Sequence, residues 1–177
     1  LVARVMDSLR RLPRDIDRYM ALSSLQERNE RLFYRTVIDH LDEIMPLIND
    51  PSSRVIKAVL LNRNVAEEHV LIVANRKNLP PEIFDTIFKD RRWSESYPVR
   101  LALARNPKTP LFTAISIARF LRLFDVAELA RNHLIPAISR KKMESIVIDK
   151  IPALALGVKK TLAKVAAGEI LLSLIAD

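Results

Sequence analysis

A short apolar helix that ends near an asparagine and restarts at a proline recurs along this chain. That recurrence limits the fold more than any other feature. Residues 70–82 read VLIVANRKNLPPE, residues 99–111 VRLALARNPKTPL, and residues 126–137 VAELARNHLIPA. The asparagines are Asn75, Asn106 and Asn132, at intervals of 31 and 26 residues. A weaker copy, VIKAVLLNRNVAEE, ends its helix at Asn62, 13 residues before Asn75. Asparagine suits a helix end because it tolerates a left-handed backbone and bonds nearby carbonyls. Proline suits a helix start because its missing N–H is not needed there.

The other prolines follow the same logic. Pro51, Pro80 and Pro81, Pro98 and Pro110 stand at helix starts, with Asp50 and Thr109 placed to accept from the free N–H groups of the first turn. Ser24 to Glu27 has the form of a capping box, and Pro13 ends a first helix. Pro46 either kinks its helix or follows a break near His40–Asp42. Apolar residues recur at helical spacing: Ile83, Ile87 and Phe88; Leu111, Ile115, Ala118 and Leu121–Leu123; Met143, Ile146 and Val147. The spacing predicts helices over 2–12, 14–22, 25–39, 41–49, 52–62, 66–75, 80–90, 97–105, 110–121, 124–131, 136–149, 157–166 and 168–176. Two glycines and 6% aromatic residues favour helices over strands.

Helices repeated every ~20–45 residues mark an α-solenoid, in which stacked neighbours bury what one helix pair cannot. The expected fold is all-α, an α–α superhelix. Residues 1–40 form amino-terminal helices, capping or appended. Residues 41–177 form the array, continuous with them as one domain. The chain begins at Leu1, which reads as a trimmed piece. DEIMPLIND (42–50) resembles EILLSLIAD (169–177), so the array is expected to continue past Asp177 or to end in a capping helix.

The stretches ANRKNLPPEIFDTI and ARNPKTPLFTAISIARFL resemble the leucine-rich repeat variant and related HEAT-like helical repeats. Residues 93–136 resemble more closely a group of uncharacterised bacterial helical-repeat proteins. The resemblance covers roughly residues 41–177, implies an α–α superhelix, and implies no catalytic residues.

No motif for chemistry stands out. Cysteine is absent, which excludes disulfides and thiolate sites and fits a cytoplasmic protein. His40 lies near Asp39, Asp42 and Glu43, but polar residues at a helix junction account for that group. Glu67, Glu68 and His69 read as a solvated first turn. Two isolated glycines cannot build a phosphate loop, so neither a cofactor nor a metal is expected, and no enzyme activity.

Charge is the remaining signal. The net charge is +8, and residues 99–177 hold 13 Lys and Arg against 6 Asp and Glu. Candidate interaction residues are Arg91, Arg92, Trp93, Arg100, Lys108, Arg119, Arg122, Lys141, Lys142, Lys159, Lys160 and Lys164. Lys108 could present a charge beside the helix start at Pro110. Trp93 and Tyr97 either stack on bases or wedge between helix pairs. The lysine-bearing helices near 139–150 and 157–175 either lie on a membrane surface or stack in the array. Two functions follow: a non-enzymatic scaffold that binds a protein partner through its superhelical face, or a helical repeat that binds nucleic acid through its basic half. For a glycosylase, no acid among Asp125, Glu128 and Asp149 is singled out.

Overall fold

The computed structural model describes residues 44–166 and 168–176. The helices expected over 2–12, 14–22 and 25–39, the capping box at Ser24, and the His40 group lie outside the described residues. The chain divides into two compact units between His69 and Val70. Among the described residues every regular element is helical.

The elements are α1 Ile44–Ile48, α2 Ser53–Leu61, α3 Glu67–Asn75, α4 Pro81–Lys89, α5 Arg91–Ser94, α6 Tyr97–Arg105, α7 Leu111–Ala118, α8 Leu123–Arg131, α9 Ala137–Ile148, α10 Leu156–Val165 and α11 Glu169–Ala176. A 3₁₀ turn, Ile151–Ala153, follows α9. In the first unit α1 packs on α2, and Ile48, Ile56 and Val59 are buried. Pro46 lies within α1.

In the second unit the helices form pairs, α6 with α7, α8 with α9 and α10 with α11. Two rows run through these pairs. In one, α6 packs on α8 and α8 on α10; in the other, α7 packs on α9 and α9 on α11. This is the layered arrangement of a helical repeat. Small residues let the helices approach closely: Ala102, Ala104, Ala114, Ala118, Ala127 and Ala130 are all buried. Larger side chains fill the seams, among them Phe84, Leu103, Ile117, Leu129, Met143 and Leu162. On α4 the buried face is Ile83, Phe84 and Ile87, so Phe84 takes the core place expected for Phe88. On α7 it is Ala114, Ile117 and Ala118, while Leu111 is exposed.

The recurring turn has a different register and cause from those expected. Asn62, Asn106 and Asn132 are equivalent. Each Oδ1 accepts from the N–H two residues on, at 2.7, 2.9 and 3.0 Å. Each backbone carbonyl accepts from the N–H three residues on, that of Val65, Thr109 or Ile135. These are Asx turns, in which the side chain imitates a backbone turn. In the remaining copy the equivalent place is held by Arg76, whose N–H donates to the Val73 carbonyl. Asn75 sits inside α3 and donates to the Leu71 carbonyl. The three asparagines have φ between −65 and −79°, so none uses the left-handed region. Thr109 does not cap the next helix. Its hydroxyl donates backward to the Leu103 carbonyl at 2.6 Å, and Pro110 is the residue before α7.

Side-chain caps act elsewhere. Ser96 Oγ accepts from Val99 N–H at the start of α6. Asp90 accepts from Arg92 N–H at 3.0 Å and from the Arg92 guanidinium at 2.7 Å. That guanidinium holds the Asp90 carboxyl below the usual carboxylate range. A lowered value in the folded state adds stability above the ordinary carboxylate pKa, and that stability is lost as pH falls through the folded value. Melting curves of wild type and Asp90→Asn should therefore differ at neutral pH and converge on acidification.

Candidate functional site

The polar side chains that join successive layers lie mainly in the α6–α8–α10 row. Asn106 Nδ2 donates to the Ala74 and Arg76 carbonyls at 2.7 and 2.8 Å, tying the turn after α6 to the turn after α3. The Tyr97 hydroxyl on α6 donates to Asp125 on α8 and accepts from Arg122 N–H at 3.2 Å. Burial, with the Asp125 bond next, pushes the Tyr97 phenol above its ordinary value. In the other row the Thr113 hydroxyl donates to Asp85.

At the ends of α6 and α8 the row opens into a cleft of about 760 Å³. Its walls carry Arg105 from α6, Glu128 and Arg131 from α8, and His133 from the following turn. Arg140 and Glu144 of α9, and Gly168, complete it. Arg105 Nη2 stands 3.5 Å from Glu128, Arg131 Nη1 donates to the Val165 carbonyl at 3.1 Å, and Arg140 Nη1 lies 3.3 Å from His133 Nδ1. Gly168 has φ +57°, a left-handed conformation that favours glycine, and it lies beside the Glu144 carboxylate. Among the described residues no group of His, Asp and Glu could hold a metal ion.

None of the residues expected from sequence to interact lines this cleft. Trp93 is buried, with the Arg92 guanidinium 5.0 Å above its ring. Arg91 pairs with Glu95, the residue that follows the same short helix. Arg100 lies over Phe120 and donates to the Ser94 carbonyl. Arg122 lies over the Tyr97 ring at 5.0 Å. Lys108, Arg119, Lys141, Lys142, Lys160 and Lys164 are exposed, and Lys159 is half-buried. Arg105, Arg131 and Arg140 sit in three segments that only folding brings together, so the sequence does not single them out.

An all-α helical array is thus the class of structure. No family model matches the chain, and no solved structure matches it. A 49-residue segment, 28% of the chain, is 51% identical to the mitochondrial NAD-dependent malic enzyme of Ascaris suum. A segment of the same length is 49% identical to NADP-dependent malic enzyme 2 of Arabidopsis thaliana. Over 51 residues, identity is 45% to the chloroplastic NADP-dependent malic enzyme of Oryza sativa subsp. japonica. The chain covers 8% of the length of each of these enzymes. These matches count against the expected non-enzymatic scaffold for protein, with nucleic acid as its alternative: in each of those proteins the matched segment is part of an enzyme. Among the described residues no helix is long and apolar enough to cross a membrane.

Proposed function

We propose that this chain is enzyme-related and that its shared segment does the work of its counterpart in malic enzymes. The observation that supports this is 51% identity over 49 residues to a NAD-dependent malic enzyme. Identity that high preserves both the core pattern and the surface positions of a segment, so the two should be interchangeable. The helical pairs and their repeated Asx turn support a second part of the reading, an array of the HEAT-like or leucine-rich-repeat-variant kind.

The test is a chimera. The 49-residue segment replaces its counterpart in the Ascaris suum enzyme, and malate-dependent NAD reduction is measured. The chimera should keep kcat/KM within about tenfold of the parent, a loss of no more than ~1.4 kcal/mol in transition-state stabilisation. A scrambled segment in the same place should abolish activity. A chimera that folds, by circular dichroism, but reduces no NAD would overturn the reading. So would full activity with the scrambled segment.

A further inference from the structure

The cleft at the ends of α6 and α8 gathers more cationic donors than the protein uses. Each guanidinium carries five N–H donors in a planar fork. Arg105 meets Glu128 at 3.5 Å, and both side chains are well exposed, so this pair is weak. Arg131 has one donor on the Val165 carbonyl. Arg140 faces the ring of His133 with Nη1, and its Nε is buried without an acceptor. A buried, unmatched donor on a charged group is unfavourable, and a negative charge held against the same guanidinium offsets it.

Glu128 and Glu144 stand in the same lining, so the three guanidiniums there outnumber the carboxylates by one. A bare polyanion would be repelled by these carboxylates. A molecule with an anionic end and a hydrogen-bond donor would meet both kinds of wall. The volume, about 760 Å³, is that of small-molecule sites.

We propose that this cleft binds a small organic acid with a carboxylate next to a hydroxyl or ammonium group. The carboxylate is held by the arginine forks, which match its two oxygens. The hydroxyl or ammonium donates to Glu128 or Glu144. The inference uses the geometry of the cleft alone and does not rest on the malic-enzyme likeness.

Isothermal titration of the full chain at low salt tests it, with L-malate, L-aspartate, succinate and inorganic phosphate as probes. L-Malate or L-aspartate should bind with a Kd of roughly 1 mM or tighter, and succinate, which lacks the donor, about fivefold more weakly. Phosphate should bind more weakly than the better of the two acids. Arg131→Gln should weaken binding about tenfold, while Arg119→Gln, outside the cleft, leaves it unchanged. If Arg131→Gln lowers the melting temperature, Arg105→Gln carries the same test from an exposed position. The proposal is overturned by no binding of either acid at about 10 mM, by phosphate or succinate binding as tightly as both, or by affinity indifferent to the arginine substitutions.

Discussion

Asn106→Ala should destabilise the unit Val70–Asp177 by about 2–4 kcal/mol, read as a lowered denaturation midpoint with an unchanged slope. The size follows from what one side chain does. Its amide donates to the Ala74 and Arg76 carbonyls, and its oxygen accepts from Lys108 N–H. Asn106 is buried, so water replaces these bonds poorly. Asn106→Asp separates the two roles. The oxygen that receives Lys108 N–H is kept, but a second oxygen faces two carbonyl oxygens. That carboxylate is favoured in its protonated form, so its folded-state pKa lies above the unfolded value. The variant should be least stable at neutral pH and recover as pH falls. Equal stability of wild type and Asn106→Ala would mean that the bridge between turns carries no weight.

The second large effect is at Phe84. Its ring is fully buried on α4, and Phe84→Ala should cost about 3–5 kcal/mol through lost transfer energy and the cavity left behind. Phe84→Leu, which keeps more volume, should cost less than about 1.5 kcal/mol. Phe88→Ala is the informative control. Phe88 is only partly buried, and its loss should cost under about 1.5 kcal/mol. If Phe88→Ala proved the more damaging, α4 would present a different face to the core.

That comparison shows how far helical spacing can be read. Ile83 and Ile87 mark the stripe on α4, but Phe84 and Phe88 are both one position from it. Tertiary packing alone chooses between them. The segments after residue 50 follow the expected helices closely, since proline and apolar spacing are local signals. The four-residue helix Arg91–Ser94 is too short to show a period. Residue identity points to Asn75 as the turn residue of its copy, whereas the distance to the following proline places Arg76 there. A threonine hydroxyl before a helix can accept forward as a cap, but that of Thr109 donates backward. The cleft was illegible for a different reason. Arg105, Arg131 and Arg140 are ordinary surface residues in their own segments, and only the stacking of α6, α8 and α9 gives them a common space.

The ties between layers span limited distances along the chain. Asn106 reaches back 32 residues to Ala74, Tyr97 forward 28 to Asp125, and Arg131 forward 34 to Val165. Each new layer therefore closes a loop of similar size, so the entropic cost of adding one does not grow with the number already in place. Such a chain can assemble stepwise from any formed pair, with a low contact order and fast folding.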